Sequence, residues 1–112
     1  GKLANFTGPQ LAGYVLNQSI IHKNGPQVGP EAIFGNVLSA GVGQAPARQA
    51  VIFGGLPIST TCTTINKVCS SGMKSIVFGS QSIQLGHSDV VIVGGFESMS
   101  NAPHLIMNVN FI

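Results

Sequence analysis

The chain has 112 residues and 44% hydrophobic content, which is enough for one modest globular domain. Five basic and three acidic residues give a formal net charge of +2. This balance excludes the basic surface of a nucleic-acid-binding domain, and no apolar run approaches the roughly 20 residues of a membrane span. So few charges predict that much of the surface is covered, by further parts of a larger protein or by another subunit.

The chain begins with Gly1 and shows no signal-peptide pattern, so we expect the numbering to start inside a longer product. Its cysteines, Cys62 and Cys69, form neither a CxxC pair nor a disulfide framework, which favours a reducing compartment.

The first half of the chain predicts a helix, a strand and a second helix. Apolar residues at helical spacing predict a helix from Pro9 to about His22, capped by Thr7 and ended by Asn-Gly-Pro at 24–26. Residues 32–38 predict a short buried strand, and residues 39–46 a glycine-rich loop. Pro46 then opens a second helix through about Phe53.

The second half continues the alternation, with strands at 58–65 and 90–93 around a helix at 73–85. The order αβαβαβ argues for a layered α/β sheet with crossover helices. The run DVVIVGG at 89–95 fits a sheet covered on both faces. Because the third helix is apolar on most sides, we expect it to be buried nearly all round, with its small residues allowing close backbone approach.

Cys69 lies at the junction of the predicted second strand and third helix. The dipole and free N–H groups of the helix start favour a thiolate there, which is the nucleophilic form of cysteine. The following Ser-Ser-Gly leaves space for a substrate. A buried cysteine is more often simply packed, and that interpretation is kept for Cys62.

The remaining polar motifs are weaker. His22, His87 and His104 have no neighbouring carboxylate or metal-ligand spacing, so we interpret them as structural. Glu97 follows a strand at the edge where open α/β sheets place their sites; it supports such a site or, more simply, provides a charge at a helix start. Residues 41–43 (Gly-Val-Gly) lack the third glycine of a dinucleotide fingerprint and predict an ordinary loop.

The segment 64–74, TINKVCSSGMK, resembles the nucleophile motif of thiolases. Similar segments occur in the same order at 35–38, 41–50, 55–60 and 94–103. The resemblance covers about residues 1–104, as a partial N-terminal domain, and leaves 105–112 as a divergent tail. Residues 55–74 are most similar to the acetoacetyl-CoA thiolases (acetyl-CoA C-acetyltransferases), especially mitochondrial ones.

The resemblance implies that Cys69 takes the acyl group of an acyl-CoA as a thioester, with its backbone N–H stabilising the oxyanion. A second acetyl-CoA then attacks the thioester to give acetoacetyl-CoA, and the reverse reaction is thiolysis. Coenzyme A thioesters are the implied substrates, with no tightly bound cofactor and no metal. The implied assembly is a homodimer or homotetramer, and the implied compartment is the mitochondrion, with the cytoplasm as the alternative.

The chain lacks several parts that the resemblance also implies. A histidine in Gly-His-Pro, a second cysteine in Cys-x-Gly-Gly-Gly and the coenzyme A-binding loop domain are absent from these residues. The implied strand order is 3-2-1-4-5, with the first, central strand missing before Gly1. Two alternatives stay open: a 3-ketoacyl-CoA thiolase of fatty-acid β-oxidation, and a non-catalytic remnant that serves as an interaction subunit. A nucleotide-binding module is disfavoured, because its fingerprint is incomplete.

Overall fold

A computed structural model describes residues 1–21 and 30–108 of the chain. Its elements follow the predicted αβαβαβ order, and a short 3₁₀ turn, Met99–Asn101, comes after the last strand. The helices are α1 (Gly8–Leu16, continued by a π-helical turn at Asn17–Ile21), α2 (Pro46–Phe53) and α3 (Ser71–Gln84). The strands are β1 (Glu31–Gly35), β2 (Thr61–Ile65) and β3 (Val91–Gly95). The predicted helix end at 24–26 lies outside the described residues.

The local signals at the first two helix starts are confirmed. The Thr7 hydroxyl accepts a 3.3 Å hydrogen bond from the Gln10 N–H, and the Gln10 side chain accepts one of 2.9 Å from the Thr7 N–H. This reciprocal pair is a capping box, which satisfies two N–H groups that the helix leaves free. Pro46 occupies the first position of α2, where its missing N–H costs nothing.

The three strands form a parallel sheet in the order β2-β1-β3. Glu31 at the start of β1 is level with Thr61 on one side and Val91 on the other. The α/β fold class is therefore confirmed, but the expectation of a missing central strand between these strands is wrong. Because β1 uses both of its edges in hydrogen bonds to β2 and β3, a further strand can pair only with an outer edge of this sheet.

The main core lies between one face of the sheet and the pair α1 and α2. These helices pack on each other, and small residues at their contact let their backbones come close; a Cβ on Gly13 would lie only 2.5 Å from the Cβ of Phe53. The cluster of buried apolar residues consists of Ala12, Leu16, Ala32, Phe34, Ala47, Ala50, Val51 and Leu56. β1 is accordingly the most buried of the three strands.

α3 covers the opposite face of the sheet, and it does so with small residues. The buried positions of the helix are Ser71, Ser75, Gly79 and Ser82. A Cβ on Gly79 would lie 2.5 Å from Val93 Cγ1, so the helix is too close to β3 for a larger side chain. The hydroxyl of Ser75 reinforces the contact, since it accepts from the Gly94 N–H at 3.1 Å. The predicted close backbone approach is confirmed.

The prediction that α3 is buried nearly all round is wrong for the described residues. Its large apolar side chains are 38% to 73% exposed: Met73, Ile76, Val77, Phe78, Ile83 and Leu85. The sheet is contacted by the small-residue face, so the apolar face points outward. The apolar pattern correctly indicates that the helix has a surface to bury, but among the described residues nothing covers it.

Candidate functional site

Cys69 lies in the loop between β2 and α3, at the edge where all three parallel strands end. Its side chain is exposed and lines a cavity of about 490 Å³. The other lining residues come from the strand ends and the segments that follow the strands: Gly35, Val37, Leu38, Val68, Ser71, Gly72, Gly95, Phe96, Glu97 and Met99. A mostly apolar cavity that holds one free thiol suits a small acyl group better than a charged ligand.

The backbone just before Cys69 has an uncommon conformation. Val68 has a φ of 49°, in the left-handed region that a β-branched residue rarely adopts. Such a conformation costs about 1–3 kcal/mol and persists only where surrounding contacts hold it. The Val68 N–H donates to Asn66 Oδ1 at 2.9 Å, and the Val68 carbonyl accepts from the Ser71 hydroxyl at 2.6 Å. The Ser71 hydroxyl also accepts from the Lys67 N–H at 2.8 Å.

The start of α3 lies directly on the end of β1. A Cβ on Gly35 would be 2.6 Å from the backbone carbon of Ser71, so only glycine lets the helix start reach this position. No side chain caps this helix start. Among the described residues, neither the Cys69 N–H nor the Gly72 N–H has a hydrogen-bond acceptor. These donors, together with the helix dipole, favour a negative charge beside the thiol.

Glu97 lines the same cavity as Cys69 and holds part of its wall in place. Its carboxylate accepts hydrogen bonds from the N–H groups of Val37 at 3.0 Å and Leu38 at 2.8 Å. It also accepts one of 2.7 Å from the side-chain amide of Asn36, which is 3% exposed. Of the two interpretations of Glu97, these contacts favour a supporting role at the site over a charge at a helix start. Sequence reasoning missed Asn36 and Asn66, and the one available signal was a small polar residue directly after β1 and directly after β2.

The other candidates lie away from the cavity. Cys62 packs beside the core and its Sγ contacts the Thr60 carbonyl at 3.4 Å, so its interpretation as a packing residue is confirmed. His87 lines a separate cavity with Glu31, at the opposite end of the strands. His104 is exposed beyond the 3₁₀ turn, and His22 lies outside the described residues.

The Gly-Val-Gly segment forms part of an ordinary loop. The side-chain amide of Gln49 donates to the carbonyls of Val42 at 3.1 Å and Gln44 at 2.9 Å, so α2 itself holds the loop. Within residues 1–21 and 30–108, no group of three or more His, Cys, Asp or Glu could hold a metal ion. No helix in that part of the chain combines the length and apolar character that a bilayer crossing requires.

In a comparison with known protein families, residues 1–111 match the family model "Thiolase, N-terminal domain". The chain is 56% identical over 108 residues to the mitochondrial acetyl-CoA acetyltransferase of Homo sapiens, covering 95% of this chain and 25% of that protein. It is 50% identical over 111 residues to a cytosolic acetyl-CoA acetyltransferase of Gibberella zeae, covering 97% of this chain and 28% of that protein.

Among solved structures, the Acat5 thiolase of Ascaris suum in complex with coenzyme A superposes with a TM-score of 0.91 at 42% identity. That match covers 100% of this chain and 30% of the Ascaris chain. The chain therefore spans only about a quarter to a third of the length of the proteins that it matches.

Proposed function

The chain belongs to the thiolase family through its N-terminal domain, and we propose that it carries the nucleophile of an acetyl-CoA C-acetyltransferase. The observation that carries the proposal is the position of Cys69. It is an exposed thiol at an uncapped helix start, in a mostly apolar cavity at the carboxyl edge of the sheet. That combination suits a nucleophile that must receive a small acyl group.

In the proposed reaction, the Cys69 thiolate attacks the carbonyl carbon of acetyl-CoA and forms a tetrahedral oxyanion. The S–C bond to coenzyme A breaks, coenzyme A leaves as a thiolate, and an acetyl thioester remains on Cys69. The α-carbon of a second acetyl-CoA, after losing a proton, attacks the thioester, which gives acetoacetyl-CoA and frees the Cys69 thiolate. Splitting the transfer into two steps lowers the barrier of each.

The residues around Cys69 support the first of these steps. The N–H of Cys69 is free to donate to the oxyanion, and a donor of this kind contributes about 2.7–4 kcal/mol to acyl transfer. The cavity of about 490 Å³ lies within the usual range for small-ligand sites, since these measure about 300–1,000 Å³.

The rest of the machinery is proposed to lie in further polypeptide. The described residues near Cys69 include no histidine and no second cysteine, so the base and the proton-transfer group must come from elsewhere. The outward apolar face of α3 and the scarcity of charge support burial against other polypeptide, and we propose a homodimer or homotetramer. The chain matches both a mitochondrial and a cytosolic acetyl-CoA acetyltransferase. We propose the mitochondrion as the compartment, with the cytosol as the alternative.

The test is acetyl transfer to Cys69 in the complete translation product of the gene. We expect labelled acetyl-CoA to acetylate one peptide, residues 68–74, and Cys69→Ser to abolish the label while coenzyme A binding persists. Cys62→Ser is the matched control, because it changes the neighbouring cysteine of the same strand-loop segment and keeps Cys69. Label that persists at residues 68–74 in Cys69→Ser would refute the assignment.

A substrate series separates the proposal from its two rivals. An acetoacetyl-CoA thiolase cleaves the four-carbon 3-ketoacyl-CoA far faster than longer chains, whereas a 3-ketoacyl-CoA thiolase of β-oxidation accepts the longer chains. Absence of Cys69 acylation by any of these substrates would instead support a non-catalytic interaction subunit.

A further inference from the structure

We infer that Ser71 is a positioning residue that holds the Val68–Cys69 peptide in its strained conformation and so aims the Cys69 N–H at the reacting carbonyl. The inference rests on the proposed function for its catalytic meaning. Its structural content, the dependence of the Val68 conformation on the Ser71 hydroxyl, is independent of the reaction.

The hydroxyl of Ser71 contacts the backbone on both sides of Val68. It accepts a hydrogen bond from the Lys67 N–H at 2.8 Å and donates one to the Val68 carbonyl at 2.6 Å. Ser71 is only 4% exposed, so water cannot readily replace either bond. The side chain therefore holds the Asn66–Lys67 peptide and the Val68–Cys69 peptide. The Lys67–Val68 peptide between them is held by Asn66 Oδ1, which accepts from the Val68 N–H at 2.9 Å, and a φ of 49° at Val68 joins it to the Val68–Cys69 peptide.

Peptide planarity carries this effect to Cys69. The carbonyl of Val68 and the N–H of Cys69 belong to one trans peptide, so they point in opposite directions. Holding the carbonyl toward the start of α3, by the Ser71 hydroxyl and by the Ser71 N–H at 3.1 Å, turns the Cys69 N–H away from the helix. This explains why the Cys69 N–H has no acceptor among the described residues.

The position of Ser71 is itself fixed by the sheet. Gly35 gives the helix start room to lie against β1, where a Cβ would be 2.6 Å from Ser71. The strained residue Val68 thus lies between the end of β2 and the buried Ser71. Such over-determined strain is a recurring property of functional sites, where it preorganises a reacting group.

The test is a double-mutant cycle between Ser71→Ala and Val68→Gly in the complete translation product of the gene. Glycine adopts positive φ without strain, so it removes the need for the serine hydroxyl. We expect Ser71→Ala to slow acetylation of Cys69 by acetyl-CoA about tenfold, the factor that a barrier change of 1.36 kcal/mol produces. In the Val68→Gly background the same substitution should have little effect. Alkylation of Cys69 by iodoacetamide, which forms no oxyanion, should change far less.

Ser70→Ala is the matched control, because it removes a hydroxyl that donates only to the Lys67 carbonyl, at 3.0 Å. Three results would overturn the inference. Cys69 in the Ser71→Ala variant is acetylated at the wild-type rate, or the substitution lowers that rate by the same factor in both backgrounds, or the crystal structure of the variant keeps a positive φ at Val68. If neither the wild type nor any variant is acetylated, the proposed function fails. The φ angle of Val68 in the Ser71→Ala crystal structure then decides the inference. A Ser71→Ala chain that does not fold supports it only if the double variant folds.

Discussion

The side-chain amide of Asn36 donates a 2.7 Å hydrogen bond to the carboxylate of Glu97, and this bond ties the end of β1 to the end of β3. The same carboxylate accepts from the N–H groups of Val37 and Leu38, so one side chain binds three consecutive residues after β1. Because Val37 and Leu38 line the cavity beside Cys69, the shape of that cavity depends on Glu97.

Glu97→Gln should therefore damage both stability and reaction. The glutamine NH₂ cannot accept from a backbone N–H, which leaves a partly buried donor unpaired at a cost of about 1–3 kcal/mol. We expect a lower free energy of unfolding, measured with urea, and slower acetylation of Cys69. Glu31→Gln is the control, since Glu31 accepts from Ser82 and Ser88 at the opposite end of the sheet. Equal slowing in both variants would contradict the special role of Glu97.

The isolated 112-residue chain should not catalyse thiolysis. It lacks the Gly-His-Pro and Cys-x-Gly-Gly-Gly motifs that the proposed reaction implies, and its sheet leaves the outer edges of β2 and β3 without a partner among the described residues. We expect poor folding and association through those edges. The measurement is coenzyme A-dependent loss of acetoacetyl-CoA absorbance with the purified chain; clear turnover that Cys69→Ala abolishes would show that the chain is sufficient.

The outward face of α3 should add to the self-association that the open sheet edges cause in the isolated chain. Met73 and Ile76 are 71% and 57% exposed, so replacing both with serine removes apolar contact area without opening a cavity. We expect a smaller apparent mass in sedimentation velocity, because exposed substitutions of this kind change the fold little. Unchanged association would mean that another surface is responsible.

Gly79→Ala should destabilise the chain, although alanine is the better helix former. Its Cβ would lie 2.5 Å from Val93 Cγ1, and the resulting overpacking costs about 1–3 kcal/mol. Ser80→Ala, one position along on the exposed side of the same helix, should be neutral or slightly stabilising. Thermal unfolding of the two variants checks this, and a Gly79→Ala chain as stable as Ser80→Ala would show that α3 can move off the sheet.

Local signals predicted the local structure well. α2 begins at Pro46 and ends at Phe53 as expected, because proline at the first position and glycines after the last are direct backbone constraints. The capping box at Thr7 follows from the same kind of rule. The position of Cys69 between β2 and α3 was predicted too, because a strand-to-helix junction is also a local feature.

Longer-range features were not predictable from such rules. Hydrophobic pattern alone could not show that α3 would turn its small residues, Ser75 and Gly79, toward the sheet. Nothing beside Glu97 in the sequence indicates that its partners are Val37 and Leu38. Valine is also among the last residues expected at positive φ, so the strain at Val68 had no signal.

The central position of β1 also has a consequence for synthesis on the ribosome. Its two partners, residues 61–65 and 91–95, are both translated after it, and the second completes only about 60 residues later. At 5–20 residues per second this interval lasts roughly 3–12 s. During that time a segment rich in apolar side chains is made but cannot be paired at both edges, so the nascent chain is a ready target for chaperones that bind extended apolar peptides.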